Sequence, residues 1–179
     1  MKAFRFLMMA LLTIVMLGCV GKDQGPIFPD NPNPPAPTPT PEPSEFPLIS
    51  TDPAFVTEAM TEDITVILNT AGTAADGFSG ELYAHTGVLT TDSSSSGDWK
   101  HVLSEWGENI PECKLEKKDD NIWHYTIKGG VHAWYGVPDT ETVTHIAFVF
   151  RSADGKKEVK DNGSDIFIET VEEGLGVYI

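Results

Sequence analysis

The stretch that most constrains the fold runs from His145 to Arg151 and contains five uninterrupted apolar residues, Ile146 to Phe150. β-branched and aromatic side chains dominate it, and the turn signal Asp154-Gly155 follows. Such a run predicts a strand that is covered on both faces. Because helical patterns of useful length are nearly absent elsewhere, the covering layers should be strands too. The sequence therefore predicts an all-β sandwich with this strand at its centre.

Other segments supply the remaining strands of such a sandwich. Period-two or β-rich patterns predict them at 63–69, 81–86, 112–117, 123–127, 164–170 and 175–179. The second of these is expected to end at Gly87, and the segments 112–117 and 123–127 are expected to form a hairpin. Seven or so short strands at these intervals predict an immunoglobulin-like sandwich over residues 51–179.

Three connecting segments are less regular. Residues 90–97, with four consecutive serines, predict a polar loop. The side chains of Trp99, Val102, Leu103 and Trp106 fall at helical spacing, but a short helix and an irregular strand fit equally well. Val131 to Pro138 is predicted to be a loop that is rich in aromatic residues.

The N-terminus has the pattern of a bacterial lipoprotein signal. Two cationic residues precede an apolar run, Phe6 to Leu17, which is too short to span a bilayer. The run ends in Met16-Leu17-Gly18-Cys19, which resembles a lipobox and implies lipidation of Cys19 after removal of residues 1–18. Several acyl chains would anchor the protein durably at the outer membrane or cell surface. The alternative is an ordinary cleaved signal peptide with an accidental cysteine.

A proline-rich segment separates this signal from the predicted sandwich. Ten of the thirteen prolines lie between Gly25 and Pro47. Proline fixes φ and removes backbone donors, so residues 19–50 are predicted to form an extended, disordered tether. The alternative function for such a segment is a ligand for a proline-recognition domain.

Charge and motifs exclude several classes of function. The net charge of −15 disfavours nucleic acid as a partner. The sequence has no Gly-x-Ser-x-Gly, no His-Glu-x-x-His and no phosphate-binding glycine loop, so we expect neither an enzyme nor a cofactor. Cys113 is expected to be a small core residue rather than a nucleophile. Asp154, Asp161, Asn162 and Asp165 could hold calcium through oxygen ligands, but their spacing is not that of an EF-hand, and solvated turns are the preferred interpretation.

The aromatic residues indicate a binding function. A sugar ring stacks its C–H face on a flat aromatic ring, while its hydroxyls need polar groups beside that ring. The candidate carbohydrate-binding residues are His85, Trp99, Trp106, Trp134 and Tyr135, with Asp98, His101, Glu105 and His132 as polar neighbours. Burial in the core is the alternative for each tryptophan, and it is preferred for Trp123.

Several ordered motifs resemble one known family. They are 82–90 (Leu-Tyr-Ala-His-Thr-Gly-Val-Leu-Thr), Asp98-Trp99-Lys100 with Trp106-Gly107, 134–138 (Trp-Tyr-Gly-Val-Pro), 147–155 (Ala-Phe-Val-Phe-Arg-Ser-Ala-Asp-Gly) and 165–168 (Asp-Ile-Phe-Ile). Together they resemble the N-terminal immunoglobulin-like module of secreted α-amylase-type glycoside hydrolases of Bacteroidetes. The resemblance implies a module that assists binding of starch-like glucans. In that family a catalytic barrel follows where this sequence stops, so no activity is carried over.

These observations combine into one expected function. The chain is expected to be a lipid-anchored, surface-displayed module that binds a polysaccharide, such as an α-glucan, without catalysis. One alternative is a protein-interaction subunit of an outer-membrane glycan-uptake complex that touches no sugar. Another is the remnant of a truncated α-amylase.

Overall fold

The computed structural model describes residues 46–171. The predicted signal peptide, the lipidation site Cys19, most of the predicted tether and the strand predicted at 175–179 lie outside this range. Within it, no helix is both long and apolar enough to cross a lipid bilayer.

Strands dominate the described residues. They are β1 (Ile49–Asp52), β2 (Val56–Thr57), β3 (Ile64–Asn69), β4 (Leu82–Thr90), β5 (Glu116–Asp119), β6 (Ile122–Ile127), β7 (Val143–Ser152), β8 (Glu158–Val159) and β9 (Ile166–Val171). One short helix, α1 (Gly130–Tyr135), and a 3-10 turn, Pro111–Cys113, complete the regular structure of residues 46–171.

The strands form two sheets with immunoglobulin-like order. One sheet has the order β1-β3-β6-β5, and the other has β2-β9-β7-β4 with β8 also paired to β7. All pairs are antiparallel except β2 with β9. When the two-residue strands β2 and β8 are set aside, the first, second, fifth and fourth strands share one sheet, and the third, sixth and seventh share the other. This is the arrangement of an immunoglobulin domain, so the predicted fold class is confirmed.

The predicted central strand lies at the centre. β7 is hydrogen-bonded between β4 and β9. Its inward side chains Ile146, Phe148 and Phe150 are fully buried, and the two phenylalanine rings stack with centroids 5.3 Å apart. Ala147 and Val149, which point to the opposite face, are buried as well. Coverage of both faces explains the uninterrupted apolar run.

The predicted strand at 112–117 is wrong in its bounds. Pro111 to Cys113 form a 3-10 turn instead, and β5 begins only at Glu116. Proline favours the first position of a helical turn, which explains why the extended pattern fails here. Cys113 is nevertheless fully buried, as expected of a core residue, and its burial raises the pKa of the thiol. The hairpin with β6 is confirmed.

The predicted aromatic loop at 131–138 is also wrong, because α1 occupies most of it. Gly129 and Gly136 adopt left-handed conformations at the two ends of this helix. Gly130 has a φ of +83°, and a Cβ there would lie 1.7 Å from the carbonyl oxygen of Met60. Only glycine permits this approach, which fixes the start of α1 and turns Tyr135 toward the core.

Two short strands precede the first one predicted. β1 starts at Ile49, two residues inside the segment assigned to the tether, and β2 follows at Val56. Within residues 46–171, β1 pairs only with β3, and its side chains alternate between half-buried and exposed. An edge strand of this polarity carries little hydrophobic pattern, so its sequence did not indicate it.

Candidate functional site

The candidate site is built on the outer face of the β4–β7 sheet. In β4 the neighbours Ala84 and Thr86 point inward and are buried, so His85 points outward. Its register partner in β7 is Val149, which faces the same side. Strand alternation therefore places the imidazole beside Val149 on the outer sheet face, two residues along β7 from Arg151.

An irregular segment lies along the free edge of β4 and covers this face. The backbones of Val88 and Lys100 exchange two hydrogen bonds of 2.9 and 2.7 Å, and Leu103 N donates to Thr86 O. Gly87 lies beneath the segment, where a Cβ would be 2.8 Å from the Lys100 carbonyl oxygen and 3.0 Å from Val102 Cγ2. Gly87 was expected to end the strand. It lies within β4 instead, and its missing side chain lets the segment approach.

This segment, which is neither a helix nor a regular strand, brings two tryptophans to His85. The Trp99 ring stacks on the imidazole at 5.5 Å with an interplanar angle of 25°. The Trp106 ring meets it edge-on at 5.0 Å and 87°. The two indole planes therefore differ by at least about 62°. Trp106 is 52% exposed, so the cluster offers inclined ring surfaces to solvent rather than one flat platform.

Polar groups flank these rings in a shallow open groove of about 520 Å³. Glu158, Lys160 and Asp165 line it opposite the tryptophans. The Lys160 ammonium lies 3.8 Å from Glu158 and 3.7 Å from Asp165, so the three form a charged cluster. The groove thus combines apolar ring faces with hydrogen-bonding groups of both signs, which is what a hydroxyl-rich ligand requires. We call it the His85 groove.

Arg151 fixes the loop that carries Trp106. It lies on β7, is only 3% exposed, and donates to Asn109 Oδ1 at 2.8 Å and to the carbonyl oxygen of Glu108. Its guanidinium carbon lies 5.9 Å from the centroids of both the Tyr83 and Trp106 rings. A planar cation with several donors can hold a loop and an aromatic ring at once. Arg151 therefore holds Trp106 in its observed orientation.

Asp98 fixes the loop that carries Trp99. It accepts hydrogen bonds from Lys100 Nζ and from the backbone and hydroxyl of Ser94. These bonds, the Lys100 bond foremost, lower the pKa of Asp98 to about 2. The Trp99 indole N–H donates to Ser96 O at 2.9 Å. The predicted polar loop is therefore tied to the ring it precedes.

Burial lowers the pKa of His85, and the nearby charge of Arg151 lowers it further, against weaker opposing effects of Asp165 and Glu105. The imidazole Nδ1 is buried and has no hydrogen-bond partner among the described residues. Both causes disfavour the charged imidazole, so they favour the neutral form of His85.

The lowered pKa predicts a pH dependence of stability. The unfolded chain takes up a proton on this histidine near pH 6.5, whereas the folded protein does so only at lower pH. The unfolded state then binds more protons in that interval, so stability should fall as the pH drops below about 6.5. We expect urea unfolding of His85→Gln at pH 7.5 and pH 5 to show a smaller acid-induced loss than the parent chain. Equal losses in both proteins would contradict this assignment.

The structure separates Trp134 and Tyr135 from the His85 groove. Tyr135 is 5% exposed and its hydroxyl lies 2.8 Å from Thr86 Oγ1 inside the sandwich, so it cannot offer a ring face to a ligand. Trp134 is half-buried against the core, and its N–H donates to the Tyr125 hydroxyl at 2.9 Å. These two candidate residues therefore lie on α1 and do not line the His85 groove. Trp123 is buried, as preferred.

Two of the polar residues expected beside the rings, His101 and His132, lie outside the His85 groove. His101 pairs with Glu141 at 2.8 Å, and His132 lies 3.5 Å from Glu58; neither lines the His85 groove. The carboxylates considered for calcium do not gather. The Asp154 carboxylate pairs with Lys156, that of Asp161 accepts a hydrogen bond from the Asn162 side-chain amide, and that of Asp165 pairs with Lys160. Residues 46–171 hold no group of three or more His, Cys, Asp or Glu side chains placed for a metal ion.

Sequence reasoning missed the far wall of the groove. Glu158 and Lys160 lie more than fifty residues from Trp99 and Trp106 and reach them because β8 pairs with Arg151 and Phe150 of β7. The two-residue strand β8 carries too little pattern to predict that pairing. In the sequence, Arg151 marks the end of the central strand, and a lone arginine directly after an apolar run is the only local sign of its role.

Comparison with known proteins gives no indication of what the groove binds. No known protein-family model matches the chain, and no curated protein is significantly similar to it.

Proposed function

We propose that this protein is a lipid-anchored, surface-displayed carbohydrate-binding module that holds a starch-like α-glucan in the His85 groove without catalysing a reaction. The observation that carries the proposal is the half-exposed Trp106 ring, set at a steep angle to Trp99 beside Glu158 and Asp165. Ring faces would stack on the sugar, and the carboxylates would accept hydrogen bonds from its hydroxyls.

The inclined rings favour one class of glucan. A β-1,4-linked glucan is an extended ribbon that stacks best on coplanar rings. An α-1,4-linked glucan coils, so that its successive sugar rings are inclined to one another. Indole planes that differ by at least about 62° match the second shape better. The resemblance to modules of α-amylase-type hydrolases supports the same choice.

The membrane part of the proposal rests on the sequence. Met16 to Cys19 supplies the lipobox-like motif, and the proline-rich segment after it would hold the module away from the membrane surface. The resulting protein would capture a large external polysaccharide close to the cell.

Affinity electrophoresis tests the proposal. The full chain, purified in mild detergent, is run in native gels that contain amylopectin, pullulan or hydroxyethylcellulose. We expect retardation by the two α-glucans and unchanged mobility with the β-linked polymer. Unchanged mobility in every gel would overturn the proposal. The protein-interaction alternative would then be pursued by a pull-down from detergent-solubilised membranes, since Trp106 and Val102 form an exposed apolar pair.

A further inference from the structure

A second aromatic groove lies on the other sheet of the sandwich. Trp134 lines it together with polar and charged residues of the 3-10 turn, the β5–β6 hairpin and the residues beside them. They are Glu112, Lys114, Glu116, His124, Thr126 and Lys128, and the groove has a volume of about 340 Å³. None of these residues lines the His85 groove. We call it the Trp134 groove.

The Trp134 ring is held in place without a ligand. Its N–H donates to the buried Tyr125 hydroxyl, and the two rings meet edge to face with centroids 6.4 Å apart. The indole is partly buried against the core, and Trp134 also lines the groove. A ligand that stacks there would lose little conformational entropy from ordering the ring, which favours binding.

The charges around the Trp134 groove balance. The lining contains two carboxylates, Glu112 and Glu116, and two ammonium groups, Lys114 and Lys128, so their formal charges cancel. Lys114 and Glu116 also have ion-pair partners next to the groove, Glu81 and Lys118. Such a groove does not select a strongly charged ligand. Side chains that donate and accept hydrogen bonds beside an aromatic ring suit a neutral, hydroxyl-rich ligand instead.

The two grooves open on different sheets. His124 and Thr126 alternate with the buried Trp123, Tyr125 and Ile127 of β6, so they face outward from the β1-β3-β6-β5 sheet. His85 faces outward from the opposite sheet. Packed sheets lie about 10 Å apart, and the outer faces are farther apart still, so one short oligosaccharide cannot occupy both grooves.

We propose that the Trp134 groove is a second binding site for the same neutral polysaccharide, so that a single module grips one long or branched chain at two points. This inference rests on the proposed function of the His85 groove. Two linked sites bind a polymer more tightly than either alone, because the second contact forms at high effective concentration. An oligosaccharide gains no such advantage.

Fluorine NMR tests the two sites separately. The chain contains four tryptophans, so 5-fluorotryptophan labelling gives four signals, which single Trp→Phe variants assign. We expect maltoheptaose to shift the signals of Trp99, Trp106 and Trp134 and to leave the buried Trp123 unchanged. Shifts at Trp99 and Trp106 without Trp134 would overturn the second site alone. No shift at any tryptophan would overturn the proposed function as well.

Variants add a quantitative test. Trp134→Ala should lose at least about tenfold in affinity for amylopectin while its maltoheptaose shift at Trp106 persists. Because Trp134 also packs on the core, Thr126→Arg serves as a second variant that fills the groove from the exposed face. Trp134→Phe keeps a ring and should retain most of the affinity. Parental amylopectin affinity in both Trp134→Ala and Thr126→Arg would overturn the second site.

Discussion

Replacing Trp106 by alanine is expected to weaken amylopectin binding about 30-fold, which corresponds to about 2 kcal/mol. The indole is the most exposed ring of the His85 groove and would contribute the largest stacking surface. Because it is 52% exposed, the free energy of unfolding should change by less than about 1 kcal/mol. Titration in affinity gels measures the first quantity, and urea unfolding measures the second.

Phe55→Ala is the matched control for this variant. Phe55 is also an exposed aromatic residue, with 59% of its surface accessible, but it does not line the His85 groove. Its removal should leave binding unchanged. If Phe55→Ala weakened binding as much as Trp106→Ala does, the sugar would be bound by general apolar exposure and not by this groove. A large loss of stability in Trp106→Ala would instead identify the ring as structural.

Arg151→Met is expected to lower the free energy of unfolding by about 3 kcal/mol and the Tm by roughly 10 °C. The change removes a buried guanidinium and leaves Asn109 Oδ1 and the Glu108 carbonyl without its hydrogen bonds. The loop that carries Trp106 then loses its hydrogen bonds to Arg151 and keeps the one from Asn109 Nδ2 to Ala153 O, so amylopectin binding should also weaken about tenfold. Thermal unfolding and affinity gels measure the two effects.

Two further variants distinguish the hydrogen-bonding geometry of Arg151 from the effect of its positive charge. Arg151→Lys keeps the cation but cannot donate to both acceptors from one plane, so we expect an intermediate loss of stability and of binding. Lys156→Met removes a cation whose side chain is 82% exposed and pairs with Asp154, and it should cost less than about 0.5 kcal/mol. Parental stability in Arg151→Met would show that this arginine does not hold the loop.

The fold was largely predictable because its pattern is strong where burial is complete. β7 combines an apolar run with a turn signal, and the alternation of Trp123, Tyr125 and Ile127 identifies β6. The failures lie where burial is partial or the backbone is special. β1 is an amphipathic edge strand, and α1 depends on the close approach of Gly130 to Met60, which no local pattern records.

Only part of the candidate site could be predicted, because some of its residues come together through the fold and not through nearness in sequence. His85, Trp99 and Trp106 are linked by local geometry along β4, so nearness in sequence was a fair guide. Trp134 and Tyr135 were grouped with them because aromatic residues in a supposed loop look alike. Which of them the fold exposes depends on the direction of a six-residue helix. Glu158 enters through strand pairing across the sheet, which composition does not reveal.

The segment that carries Trp99 and Trp106 also occupies the outermost backbone groups of β4, through Lys100, Leu103 and, farther along, Leu115. An uncovered strand of nine residues would be a template on which neighbouring copies could pair. At high concentration, copies of the protein would then risk joining into aggregates. The segment occupies those donors and acceptors within the chain, so shortening it should lower solubility as well as disturb the positions of Trp99 and Trp106.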